Sequence, residues 1–326
     1  MRISFKAAGW LYTRSAVSAA AIALAFAAAP GAAAAEDVYG SGAVVTNRPC
    51  PTSVTTCVVG AARLQPHQYF GGYGQGLSAN PTLLGGASGA AEVTFSDDYL
   101  PTVRLAAGAG AETRTGASAT AFRSFTYEGE AAIDFALEGL LHFQTTGDQA
   151  GPQGANEFAG DGGLNVVLSL LRVSTVTAAF GPGASAIDII SNSGIGFPDC
   201  GAAGVIAVGG FNSSGLAAGE YHQSIGLSQS CSGGAIRLNP GDSFVVVASL
   251  QAISNRNGLM DAMNTFHVVY DEEKTVFAGT QDSVGAGFLS RNVAVGAAVP
   301  EPGVWALMVG GFGFAGHALR RRRLAV

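Results

Sequence analysis

Charge is what this chain has least of. Only 12% of its 326 residues are Asp, Glu, Lys or Arg, against about 25% in ordinary globular chains. Lysine is nearly absent, with Lys274 the only one after Lys6. This profile does not suit a helical cytosolic enzyme. Cysteine is limited to four residues, no CxxC pair occurs, and no histidine sits at ligand spacing beside a cysteine. A cysteine- or histidine-ligated metal site is therefore not expected, no metal ligand is assigned, and no cofactor is expected. The HExxH, GxSxG and EF-hand patterns are missing too, so no catalytic residue is assigned. What the chain does have is glycine, 47 residues of it, and a 48% hydrophobic content, which together suit a β-rich extracellular protein with many turns.

The first residues have the three parts of an export signal. Arg2, Lys6 and Arg14 are basic, Ala16 to Ala29 is apolar, and Ala33-Ala34-Ala35 offers small residues before Glu36. We read 1–35 as a signal peptide removed by signal peptidase. The segment that follows, 36–298, holds ten basic and 22 acidic residues, a net charge of −12. Nucleic acid, whose phosphates need a basic surface, is not an expected partner. Acidity of this size suits solubility outside the cell. In an oxidising compartment the four cysteines are expected as two disulfides, Cys50–Cys57 and Cys200–Cys231, each pair being close in sequence.

Between the glycine-rich breaks of 36–298 lie runs with strand character. In ATAFRSFTYEG, Phe122, Ser124 and Thr126 share one parity, and Arg123, Phe125 and Tyr127 the other. Ile133, Phe135 and Leu137 alternate with Asp134 and Ala136. LNVVLSLLRVSTVTAAF, with its Val and Thr content, favours strand over helix. LNPGDSFVVVASLQAIS joins a Pro-Gly-Asp turn to a β-branched run, and NTFHVVYDEEKTVF follows. The stretch 201–219 fits strand or loop, and GGYGQGLSANPTLLGG from Gly71 reads as a glycine-rich loop. No fixed-period repeat interrupts the pattern, which argues against a solenoid or propeller. The expected fold is mainly β, a single antiparallel β-sandwich, jelly-roll-like, over 36–298.

Candidate chemistry is thin. His142 and His267 sit within strand-like runs and read as face residues. Asp97-Asp98 and Asp271-Glu272-Glu273 read as solvated turns, with calcium binding as the alternative. GFGFAG, Gly311 to Gly316, fits GxGxxG, but it lies in the last apolar run with no βαβ unit around it, so a dinucleotide site is excluded.

The tail, VPEPGVWALMVGGFGFAGHALRRRRLAV, is the most specific stretch. Pro300 and Pro302 prevent a regular helix from starting earlier and hold Pro-Glu-Pro extended. Val304 to Leu319 carries no Asp, Glu, Lys or Arg, and as a helix spans about 24 Å. That is marginal for a hydrocarbon core of about 30 Å. Trp305 would sit at the interface, and Arg320, Arg321, Arg322 and Arg323 would stop transfer on the cytoplasmic side. In order, spacing and position this tail resembles the PEP-CTERM sorting signal of Gram-negative bacteria in its PEPxxWA form, with Pro300, Glu301, Pro302, Trp305 and Ala306 as the motif. The resemblance covers the last 28 residues, 299–326. It implies recognition by a membrane-embedded exosortase, transient anchoring in the inner membrane with the ectodomain in the periplasm, then release to the cell surface, in proteins associated with exopolysaccharide and biofilm. The middle looks only loosely like the β-rich ectodomains of such proteins.

The expectation is thus a non-enzymatic surface or matrix protein with extracellular polysaccharide as a candidate partner. A carbohydrate-binding module using Tyr69, Phe70, Tyr73 or Tyr99 on an exposed face is the alternative. A secreted hydrolase, with two carboxylates or a Ser–His pair in a deep pocket, is a third.

Overall fold

The computed structural model describes residues 37–49, 68–74, 77–79, 88–111, 113–147, 162–181, 183–214, 216–255, 257–263 and 266–295. The signal segment, Cys50 and Cys57, and the tail from Val299 lie outside the described residues. Among the described residues, no helix is long and apolar enough to cross a membrane.

The chain is mainly β. Its strands are β1 (Tyr39–Pro49), β2 (Gln68–Tyr73), β3 (Leu77–Ala79), β4 (Ser88–Phe95), β5 (Pro101–Gly108), β6 (Thr113–Tyr127), β7 (Ile133–Phe135), β8 (Leu137–Thr146), β9 (Gly163–Arg172), β10 (Val205–Ser214), β11 (Gly219–Leu227), β12 (Ile236–Leu238), β13 (Ser243–Asn255), β14 (Leu259–Asp261), β15 (Phe266–Tyr270), β16 (Val276–Phe277) and β17 (Val293–Val295). Among the described residues four short helices accompany them: α1 (Val173–Ala179), α2 (Ala186–Ser191), α3 (Ser193–Gly196) and α4 (Phe288–Asn292). The strands form two large antiparallel sheets. The first runs β10-β9-β13-β6-β1-β2 with β17 also on β6. The second runs β11-β8-β14-β5-β4-β3, with β15 also bridging β8 and β5. A small third sheet runs β12-β7-β16.

The arrangement is sandwich-like because alternate residues of both large sheets share one core. Val45, Phe125, Leu168 and Val246 of the first sheet join Val103, Leu141, Phe143 and Phe266 of the second in one buried apolar cluster. The strands expected around Phe122–Tyr127, Ile133–Phe135, Phe244–Ala248 and 266–270 all form, as parts of β6, β7, β13 and β15.

The first sheet is buried on its other side as well. Phe122, Leu171, Val245 and Val247 form a second apolar cluster with Val176, Phe180, Ile189 and Ile195, from α1 to α3 and the turn after α1. The rings of Phe122 and Phe180 stack at 5.6 Å. This explains why both parities of ATAFRSFTYEG carry large apolar residues. α2 crosses β1 so closely that a Cβ on Gly42 would lie 2.9 Å from the Ala186 carbonyl oxygen.

The same covering corrects the strand reading of LNVVLSLLRVSTVTAAF. Its first part is β9, but Val173–Ala179 is α1. Burial of Val176 against the sheet outweighs the β preference of the Val and Thr residues. The glycine-rich stretch from Gly71 is also more than a loop, since Gly71–Tyr73 completes β2 and Leu77–Ala79 makes β3. Gly71 takes φ of 92° against β1, where a Cβ would lie 2.6 Å from the Ser41 carbonyl oxygen. In 201–219, a turn leads into β10. Cys200 and Cys231 are disulfide-bonded with Cα atoms 5.1 Å apart.

Candidate functional site

The outer face of the second sheet carries no helix in the described chain, and its residues follow from strand parity. Leu137, Leu141 and Phe143 of β8 point into the core, which turns Glu138, Leu140, His142 and Gln144 outward. On β11 the same alternation exposes Glu220, His222 and Ser224. The register pairs Glu220 with Gln144, His222 with His142, and Ser224 with Leu140. On the other side, His267 of β15 is opposite both Leu140 and Thr102, and Arg104 of β5 is opposite Glu92 of β4.

These residues border an open depression of about 710 Å³, lined among others by Thr102, Arg104, Leu140, His142, His222 and His267. Leu140 is 44% exposed, an unusual apolar side chain amid polar ones. His267 Nδ1 lies 2.8 Å from Thr102 Oγ1. Arg104 contacts Glu92 at 3.4 Å. The Ser224 hydroxyl donates to the Glu138 carboxylate. The rings of His142 and His222 stack at 4.2 Å with an interplanar angle of 11°. Both direct Nε2 at Glu220 Oε1, at 2.5 and 3.7 Å.

A second depression, of about 990 Å³, adjoins the first through Ser96 and His267. Here the fold brings together carboxylates read separately in the sequence, because Asp98, Glu138 and Asp271–Glu273 all line this depression. Two of them already serve the fold. Glu272 accepts from the N–H groups of Gly287 (2.6 Å) and Leu289 (3.1 Å) at the start of α4. Asp271 holds Lys274 at 2.6 Å, and that hydrogen bond raises the lysine pKa. Burial pushes the phenol of neighbouring Tyr270 far up, and the charge of Asp98 adds to the effect.

The four aromatic residues considered for sugar stacking are not assembled on the open face. Tyr69, Phe70 and Tyr73 belong to β2 of the first sheet, paired with Val44, Ala43 and Gly40. Tyr99 sits in the β4–β5 turn with φ of 61°, 49% exposed. Its ring lies 4.6 Å from the Arg123 guanidinium, which also covers Tyr39 and Phe95 at 5.0 and 5.4 Å. Cys200 and Cys231 are brought together as expected, while Cys50, Cys57, Pro300–Pro302, Trp305, Ala306 and Arg320–Arg323 lie outside the described residues.

The histidine pair is what sequence reading missed. Eighty residues separate His142 from His222, and nothing local marks them as partners. Each stands at a polar position of an alternating strand, in LLHFQ and EYHQS, which signals an outward side chain. Only the β8–β11 register makes them neighbours.

No protein-family profile and no curated protein matches this chain. Solved structures with some likeness include an arabinose-bound α-L-arabinofuranosidase, MgGH51, at 12% identity and a TM-score of 0.22, with 65% of this chain covered. This chain spans about a quarter of that enzyme's length. A putative glycoside hydrolase from Bacteroides vulgatus gives 7% identity and a TM-score of 0.30 over 61% of this chain and 97% of its own. The module TmCBM61, in complex with β-1,4-galactotriose, gives 4% identity and a TM-score of 0.24 over 61% and 90%. At these TM-scores no function is taken from the likeness.

Proposed function

We propose that this chain is an exported, non-enzymatic surface protein that binds extracellular polysaccharide through the outer face of its second sheet. In this reading a jelly-roll-like ectodomain, 36–298, stands between a signal peptide and a sorting helix. The Arg320–Arg323 cluster holds the tail in the inner membrane until an exosortase acts at Pro300-Glu301-Pro302. The disulfide between Cys200 and Cys231 supports an oxidising compartment.

The observation that carries the binding reading is the unequal covering of the two sheets. Apolar helices bury the outer side of the first. The second leaves Leu140 and His222 exposed, with His142 half-buried in the stack, among hydroxyl, carboxylate and guanidinium groups. A sugar needs this mixture, an apolar patch for its C–H face and fixed donors and acceptors for its hydroxyls. The depression is open, so it suits a chain running along it rather than an enclosed small molecule. The acidic neighbouring depression favours a neutral polysaccharide over a polyanionic one.

Affinity electrophoresis in gels containing neutral polysaccharide, including that of the host, tests the binding. Retardation of the wild-type protein is expected, with loss of retardation in Leu140→Asp. Unaltered mobility of the wild type across the panel would overturn it. Sorting is tested separately, by the intact mass of the native protein with and without the exosortase. Loss of the tail near Pro300 only with the enzyme is the expected result, and an unchanged C-terminus in both strains would make the tail a permanent anchor.

A further inference from the structure

We propose that His142, Glu220 and His222 form a binding site for a divalent transition-metal ion of the zinc, copper or nickel type. The inference stands on this geometry and does not depend on polysaccharide binding. Glu220 and His222 lie two apart on β11, so both project from the same face, and His142 is directly across on β8. The strand register alone therefore delivers three ligand groups to one spot. Their donor atoms all lie within 4.8 Å of one another.

Imidazole nitrogens bind a metal in the ring plane, so the exposed His222 ring must turn out of its stack on His142 for both to meet one ion, and the spacing of the donor atoms then fits. Metal–ligand bonds of about 2.0–2.1 Å in a tetrahedral site place donors roughly 3.3 Å apart. Here Glu220 Oε1 is 2.5 Å from His142 Nε2 and 3.7 Å from His222 Nε2, values that bracket the requirement. Glu220 and His222 side chains are 61% and 72% exposed and can adjust, whereas His142, at 29%, is the better-held member. A simple imidazole–carboxylate contact accounts for His142 and Glu220. It does not account for a second imidazole nitrogen aimed at the same oxygen. One cation shared by the two ring nitrogens and the carboxylate satisfies all three groups.

The donor set selects the ion. Two imidazoles and one carboxylate suit zinc, copper and nickel, whereas calcium and magnesium demand oxygen ligands. Three protein ligands leave at least one position open. His142 and His222 line the depression of the second sheet, so that position is available to water or to an oxygen of a molecule bound there.

Equilibrium dialysis of the full-length protein against Zn²⁺, after chelator treatment, is the direct test. One tightly bound equivalent is expected in the wild type. At least a tenfold weakening is expected in His142→Ala and in His222→Ala, and a smaller one in Glu220→Gln. Asp134→Asn, in the third sheet and away from the triad, should bind as the wild type does. Thermal midpoints without metal check that each variant is folded. The copper-loaded wild type should show electron-paramagnetic hyperfine structure from two nitrogens, reduced to one in either histidine variant. Zinc binding that is absent from the wild type, or unchanged in the folded His142→Ala/His222→Ala double variant, would overturn the site.

Discussion

Asp37 Oδ2 and Arg123 Nη2 meet at 3.3 Å, tying the segment just before β1 to the last third of β6 under the rings of Tyr39, Phe95 and Tyr99. Burial raises the Asp37 pKa, and Arg123, which lowers it by charge and hydrogen bond, only partly offsets this. Ionised Asp37 therefore weakens the fold. Its favourable share is present below the ordinary carboxylate value of 3.8 and is lost as pH rises through the raised folded value. Denaturant unfolding measured from acid to neutral pH should show this fall steepened in Arg123→Met and removed in Asp37→Asn. Identical pH profiles in all three proteins would refute it.

Asp188 should behave with the opposite sign. The backbone N–H and hydroxyl of Ser185 donate to its carboxylate at 2.8 and 2.6 Å, at the start of α2, and hold its pKa below the ordinary value. That contribution is present above 3.8 and lost as pH falls through the lowered folded value. Asp188→Asn should flatten the acid limb of stability. A parallel acid limb in the variant would show that the contact is not used.

Tyr127 is fully buried, and its hydroxyl donates to the Ala131 carbonyl at 2.6 Å. Ala131 itself is exposed, so water can replace the lost donor in Tyr127→Phe. The expected cost is about 0.5–1.5 kcal/mol, the net worth of one hydrogen bond. Denaturant midpoints decide it, and an unchanged midpoint would mean that the bond adds nothing beyond ring burial.

The Cys200–Cys231 bond closes a separation of 31 residues and ties the turn before β10 to the β11–β12 turn. Restriction of the unfolded chain over such a loop is worth about 3–4 kcal/mol. Cys200→Ser/Cys231→Ser should unfold at lower temperature by that measure, with the calorimetric midpoint as readout. Substitution is cleaner than reductant, because it leaves the other cysteines unaltered.

Gly42→Val should separate α2 from β1, since even a Cβ there meets the helix backbone at 2.9 Å. Overpacking of this kind costs about 1–3 kcal/mol. Increased binding of an apolar dye would accompany it as the outer cluster around Phe122 and Ile189 opens. A variant as stable as the wild type would mean that α2 shifts freely.

The strands were legible where β-branched and aromatic residues ran between turn residues, as in Phe244–Ala248 and 266–270. The helix α1 was not, because its Val and Thr residues carry no helical signal of their own, and contact with the first sheet decides the matter. The Cys200–Cys231 pair was readable from proximity in sequence. The His142–Glu220–His222 group was not, since each strand shows which way its side chains point but not which strand lies beside it. The carboxylates of Asp98 and Asp271–Glu273 were hidden in the same way, as two unrelated turns that the β4–β5 and β15–β16 connections bring to one depression.

The alternation in β8 and β11 has a further consequence. Core and surface are written in alternate letters of the same words: Leu141 and Phe143 hold the fold, while Leu140, His142 and Gln144 only decorate it. Changes at the second set leave the first untouched. The scaffold can therefore take on one surface chemistry or another by point changes alone, with the core beneath left as it is.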